Sequence, residues 1–358
     1  MGLKRLIVTS VALLALAGSV AAPALAQDAT PEATAEMGAA EQIVIAAPGI
    51  RPEGVAYDAV GGRFLFGSLS EGTIRQMMDD GTVTPFIEDP ELISTTGVHV
   101  DEVGNRLLVP NTDAAVFADP AAVGSAGLAA YDLTSGERIF MVDLAAVGST
   151  GRNFANDVTV DGEGNAYVTN SFSPIIYKVD PEGNASIFAQ DDRFTAPNIG
   201  LNGIDYSPNG YLLAAVAGAS KLYKIPLDDP TNISEVALSE PFGIDGMVLA
   251  EDGTLYAVAA LSDLTQAVVS VTSDDDWATG TVTARAQTGG GATTLALRDG
   301  EPWYINAYLS NPDAQQYEIV HAELVPVAQE VPEPGAGATA EATMEAPMDA
   351  TAEPTASG

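Results

Sequence analysis

Three observations predict an all-β chain folded as a six-bladed β-propeller of four-stranded antiparallel blades. The stretch from Asn156 to Gln190 holds four short β-type runs, DVTV, NAYVTN, IIYKVD and NASIFA, parted by Gly, Asp, Ser or Pro. At about 35 residues, that meander has the size of one blade. Its opening recurs as EGVAYDAVGG from Glu53, TGVHVDEVGN from Thr96, NGIDYSPNGY from Asn202, DGMVLAEDGT from Asp245 and, more weakly, ATTLALRDGE from Ala292. Successive starts, Asn156 included, lie 43, 60, 46, 43 and 47 residues apart, a spacing typical of propeller repeats. Finally, a twisted four-stranded blade covers both faces only against neighbours, so the copies are satisfied by closing into a ring. A pair of open sandwiches is the rival architecture.

Within the repeats, a Gly stands eight residues after each of the first five starts: Gly61, Gly104, Gly164, Gly210 and Gly253. A positive φ in a tight strand-to-strand turn is the expected reason. The apolar run Gln42 to Ala46 precedes the first copy and is expected to complete the last blade as its outer strand. The propeller is thus assigned to residues 42–328.

The first 26 residues read as a secretory signal peptide. Lys4 and Arg5 form its charged start, Leu6 to Val20 its apolar segment, and Ala24-Leu25-Ala26 a small-residue cleavage site. The apolar run is short for a membrane span, so the expected location is extracytoplasmic, secreted or periplasmic, with no membrane attachment after cleavage. Residues 27–41 and 329–358 are rich in Ala, Thr, Pro and Glu and are expected to be disordered. The chain has no cysteine, so the fold rests on its core and bound groups rather than on disulfides. Its formal charge of -35 excludes a basic footprint for nucleic acid. That acidity suits cation binding and solubility alike.

The first residue of each repeat is the informative column: Glu53, Thr96, Asn156, Asn202, Asp245 and Ala292 or Thr293. Ring closure brings the starts of innermost strands to one mouth of a central channel. Glu53, Asn156, Asn202 and Asp245 all present oxygen there, a donor set for a hard divalent cation, foremost Ca2+. Without Cys and with two His, zinc and copper lack ligands. The competing reading makes the Asn and Asp residues turn formers whose side chains bond their own backbone. Four in register, one of them the poor turn former Glu, favour the cation.

RPEGVAYD, FANDVTVDGEGNAYVTN, LNGIDYSPNG and GIDGMVLAEDGTLYAV resemble the senescence-marker-protein/gluconolactonase family of six-bladed propellers, over about Glu53 to Leu324. The resemblance implies that Glu53, Asn156, Asn202 and Asp245 ligate a divalent metal, usually calcium. It also implies that the substrate is a small-molecule lactone or related ester, with Asp245 as the catalytic base. Sugar-lactonase members carry an Arg where this chain has Phe154, and Arg152 is displaced by two. Their substrate-contacting acid falls near Ser173 and Pro174. These departures point to a substrate more apolar than a sugar acid. The long second repeat, with its insertion from Asn111 to Gly127, is either a lid over the mouth or an inert loop.

Phe154, His99, Asn170 and Asp205 are secondary candidates for substrate contact or support. His99 is read as a structural histidine, with a proton relay as the alternative. His321, Trp277 and Trp303 are read as packing residues. No GxSxG, HExxH, P-loop or dinucleotide fingerprint is present. Two other functions stay open: a non-catalytic propeller binding a ligand or protein at its mouth, as NHL- and YVTN-type repeats do, and a phosphotriesterase-like hydrolase.

Overall fold

The computed structural model describes residues 41–328 other than 120, 150 and 312. The expected signal peptide, all but Glu41 of the amino-terminal linker and the carboxy-terminal tail lie outside those residues.

The described chain is all-β apart from short 3-10 turns. Five consecutive antiparallel sheets begin with Val55–Asp58, with Ser94–Thr95 and His99–Asp101, with Asn153–Val160, with Leu201–Ser207 and with Gly243–Leu249. Each continues through three further strands in chain order. In the sixth, Ala292–Arg298, Glu301–Asn306 and Tyr317–His321 are joined by Gln42–Ile45 as the outer strand. The Gln42–Ala46 run was expected to do this. Two short parallel pairings, Asn153–Phe154 with Gly124–Ser125 and Ala237–Leu238 with Thr279–Gly280, fuse sheets two with three and four with five. All hydrogen-bonded neighbours counted, there are two four-stranded and two nine-stranded sheets.

The core is divided into apolar interfaces between successive sheets. Leu65 and Ile74 meet Leu107 and Tyr131; Leu108 and Leu128 meet Val168 and Tyr177. Tyr167 and Ile176 meet Ile204 and Leu212, and Leu213 and Leu222 meet Leu255 and Val269. Val258 and Val268 meet Leu295 and Tyr304. Trp303 and Ile305 return to Phe64 and Phe66, so the sixth sheet packs on the first and no sheet keeps an uncovered apolar face. Trp303 packs on Phe64 at 5.8 Å between ring centres, and Trp277 is buried, as their reading as packing residues requires.

The first strands touch in the same cyclic order, and glycine sets how closely. The Gly97 amide donates to the Asn156 carbonyl at 2.8 Å, and the Thr293 hydroxyl donates to the Glu53 carbonyl at 2.7 Å. A β-carbon on Gly54 would lie 2.2 Å from the Thr96 carbonyl oxygen, and one on Gly203 would lie 2.4 Å from that of Asp245. Backbone cannot retreat as a side-chain tip can. Gly203→Ala is therefore expected to destabilise the protein by about 1–3 kcal/mol, seen as a lower urea midpoint at unchanged slope.

The turn glycines correct one expectation. Gly164, Gly210 and Gly253 have φ of 85°, 85° and 86°, as expected, but in the first two repeats the positive φ falls one residue later, at Gly62 and Asn105. Gly61 and Gly104 are needed for a different reason. Asp58 accepts from the Gly61 amide and from Arg63, and Asp101 repeats this with Gly104 and Arg106. A β-carbon on either glycine would stand 2.3 Å from the aspartate oxygen.

Candidate functional site

Three of the four oxygen-bearing candidates share a backbone irregularity. Pairing of the first strand with the second slips by one residue between Ala155 and Val158, between Leu201 and Ile204, and between Ile244 and Met247. Asn156, Asn202 and Asp245 sit in these slips, and Glu53 just precedes its strand. A bulge of this kind turns a side chain out of the alternating pattern. In the sixth sheet a slip between Ala292 and Thr294 makes Thr293 the equivalent start. Thr293 and Thr96 turn their hydroxyls onto neighbouring carbonyls, so these two members of the column tie strands together.

Glu53, Asn156 and Asn202 are buried and Asp245 is half-buried. The Asn202 amide nitrogen donates to Asp245 Oδ1 at 2.9 Å, across two sheets. The Asn156 amide nitrogen donates to Ser171 Oγ at 2.8 Å, and that hydroxyl donates to the Leu201 carbonyl. Both amides thereby spend their nitrogens on the protein and leave their oxygens available. Burial, then the charges of Asp245 and Asp157, hold the Glu53 carboxyl well above the usual carboxylate range. Burial pushes Asp245 up to about 7 against the lowering effect of its Asn202 hydrogen bond.

These residues fit a hard cation. The buried Glu53 and half-buried Asp245 carboxylates lie within electrostatic reach of each other, with no Lys, Arg or His pairing with either among the described residues, and the Asn202 amide is hydrogen-bonded to Asp245. Protonation or a bound cation relieves that arrangement. The described residues hold no cluster of three or more His, Asp or Glu able to bind a metal by themselves. Any donor set here would be completed by amide oxygens, an all-oxygen set of the kind a hard divalent cation takes.

Below this cluster the first strands line a cavity of about 200 Å³ whose walls include Val55, His99, Asp157, Asp205 and Met247. Asp157 escaped the sequence reading. Four repeats carry Gly directly after the start; the third carries Asp157, whose carboxylate accepts from Val158 and Ile204 amides at 2.9 and 3.2 Å. Burial drives its pKa to about 7, despite those hydrogen bonds. The break in the Gly column was the available signal. Asp205 accepts from Thr159 Oγ1, the Tyr206 amide and the Leu249 amide at 2.7, 2.8 and 2.7 Å, a structural tie between sheets. His99 faces the same cavity and makes no hydrogen bond from its ring among the described residues. The hydrogen-bonded structural histidine expected at this position is thus not what the structure shows. Burial lowers its pKa, while Asp205 and Asp101 pull the other way.

Phe154 and Asn170 support the site from behind. Phe154 is buried, with Phe117 standing over it edge-on at 4.8 Å and Phe172 at 6.1 Å. Asn170 Oδ1 accepts from the amides of Phe154, Phe172 and Ser173 at 3.0, 3.2 and 3.2 Å, tying the loop that carries Phe172 to the strand that carries Phe154. The insertion supplies Phe117 and Val116 from its 3-10 turn Ala114–Phe117. Val116 packs with Leu69, Phe154, Phe172 and Leu309, residues from the first, third and sixth sheets. The insertion is therefore a cover packed across the mouth. Beside Asp245 a recess of about 270 Å³ is lined by Asn198, Ile199 and Asn202. Asn198 and Ile199 also wall a second recess of about 400 Å³, with Phe117, Arg152 and Phe172.

No protein-family model and no curated protein matches the sequence. Solved structures do share the fold. The allergen Mala s 1 of Malassezia sympodialis superposes with a TM-score of 0.66 at 18% identity, over 80% of this chain and 97% of that one. A calcium-binding regucalcin from Agrobacterium tumefaciens gives 0.54 at 17%, over 78% and 93%. A gluconolactonase from Xanthomonas campestris gives 0.55 at 16%, over 79% and 89%. The resemblance carried by the sequence motifs is thus matched in architecture. At such identities the likeness is one of fold alone.

Proposed function

We propose that the chain is a six-bladed β-propeller hydrolase, exported by its amino-terminal segment, that opens a lactone or related ester at the mouth of its channel. The cyclic packing of six four-stranded sheets supports the architecture. The observation that supports the function is the approach of Glu53, Asn202 and Asp245 from three sheets with no Lys, Arg or His pairing with the two carboxylates among the described residues.

In this reading those four residues hold a divalent cation, calcium by the chemistry of the donors. When bound, it polarises the ester carbonyl and stabilises negative charge developing on its oxygen. Asp245 accepts the proton of the attacking water at a carboxylate oxygen. Asn202 fixes the orientation of that carboxylate through Oδ1, leaving Oδ2 free. Glu53 supplies the second negative charge that keeps the cation in place, and Ser171 holds the Asn156 amide. The cover of Val116 and Phe117 keeps bulk water from the mouth and presents an apolar wall to the acyl or alcohol part. The regucalcin and gluconolactonase that share the fold support this choice over phosphotriester hydrolysis and over a purely binding propeller.

A panel of aryl esters and γ- and δ-lactones, assayed with calcium and with a chelator, tests the reading. Hydrolysis abolished by chelation and restored by calcium is expected. Turnover indifferent to the chelator, or absent across the panel, would refute it.

A further inference from the structure

We propose that the larger recess is a carboxylate-reading subsite, in which Arg152 pairs with the acid group of an aryl-substituted carboxylate. This deepens the hydrolase reading by naming its substrate class, and rests on that reading only for the chemistry performed next door.

The guanidinium is the anomaly that points to it. In a chain of 14 Lys and Arg against 49 Asp and Glu, cations are outnumbered and most of those described have a carboxylate partner. Arg152 has none within 4.0 Å among the described residues. Its Nη2 donates to the Val116 carbonyl at 2.6 Å, and its Cζ lies over the Phe172 ring, 4.3 Å from the ring centre. Its Nε is buried without a hydrogen-bond partner, and Nη1 makes no bond to the described protein. A guanidinium so stacked is rigid, with its uncommitted donors fixed in place. The buried Nε is out of a ligand's reach, and Nη1, with no partner among the described residues, is the donor left for an incoming acceptor.

The surroundings define that acceptor. Phe172 and Phe117, ring centres 5.5 Å apart, form an aromatic wall, and Phe117 is 52% exposed. Ile199 and Pro197 complete an apolar lining that contains no acidic residue. One planar cation beside an aromatic wall matches a planar monoanion on an aromatic body. A phosphate dianion would demand more positive charge than one Arg in so acidic a protein. Because Asn198 and Ile199 wall both recesses, a ligand anchored here extends toward Asp245.

Calorimetric binding of 3-phenylpropionate and of its neutral amide tests the proposal, each measured with calcium and with a chelator. The intact protein is expected to prefer the acid by about tenfold or more, chelator or not. Arg152→Gln should erase that preference while leaving amide binding unchanged, and Arg152→Lys should keep part of it. Phe172→Ala should weaken both ligands, and a thermal melt of each variant checks that it folds. Equal affinity for acid and amide, a preference that survives Arg152→Gln, or no binding at all overturns the proposal. A preference lost on chelation yet kept by Arg152→Gln would place the carboxylate on the cation, overturning the subsite while sparing the hydrolase. Arg152-dependent binding without any ester turnover would do the reverse.

Discussion

Asp245→Asn is expected to lower kcat by about a thousandfold or more, the scale set by loss of a positioned base, and to leave the fold intact. The variant keeps one side-chain oxygen, enough for Asn202 to donate to, but an amide NH2 replaces the second oxygen and no group remains to take a proton. It also removes one of the two carboxylates, relieving the Asp245 charge that helps hold Glu53 above its ordinary range. The cation-free variant should therefore melt no lower than the cation-free parent. Steady-state kinetics, calcium titration and thermal melts on one preparation separate these effects. Near-parental kcat would remove Asp245 from the chemistry. Collapse of the fold would show the residue to be structural.

The second large effect is on stability, and its sign with pH is unusual. Asp157 and Asp245 are each pushed up to about 7, and Glu53 and Asp205 are also raised, in every case chiefly by burial. A carboxyl whose folded pKa exceeds its unfolded value, near 4, contributes stability that is complete below that unfolded value. The contribution is lost as pH rises through the folded pKa. His99, lowered by burial, acts oppositely, losing stability as pH falls below about 6.5, but it is one group against four. In chelator, Tm is expected to drop by about 5 °C or more between pH 5 and pH 8. With excess calcium the drop should shrink, because the cation binds Glu53 and Asp245 in their deprotonated forms while Asp157 and Asp205 still titrate. A chelated protein that melts higher at pH 8 than at pH 5 would contradict the uncompensated charge on which the site is built.

How much of this was legible beforehand follows from what each residue does. The column Glu53, Asn156, Asn202, Asp245 could be read because repeats align their starts, and ring closure converts alignment into proximity. The sheet-closing run Gln42 to Ala46 could be read because an unpaired apolar run needs an edge to join. Asp157 was missed because its neighbours in register are glycines, which pattern reading treats as spacers. Phe154 was expected to contact substrate or to support the site; Phe117 and Phe172 cover it, and no local signal tells which ring of a cluster faces outward. The Asp58–Arg63 and Asp101–Arg106 pairs were hidden inside turns whose glycines had been credited to backbone conformation. Contacts made by the insertion with the first and sixth sheets depend on the path of a loop, which spacing does not encode.

The strand Gln42–Ile45 has a consequence for how this molecule comes into being. It is the first strand to be synthesised among those described, yet its partner, Tyr317–His321, is nearly the last. It waits through translation of almost everything between, so assembly cannot run to completion from one end as the nascent polypeptide emerges. Pairing across such a span slows folding and prolongs the interval in which bare strand edges invite aggregation. The pairing that completes the sixth sheet also makes biogenesis the vulnerable stage.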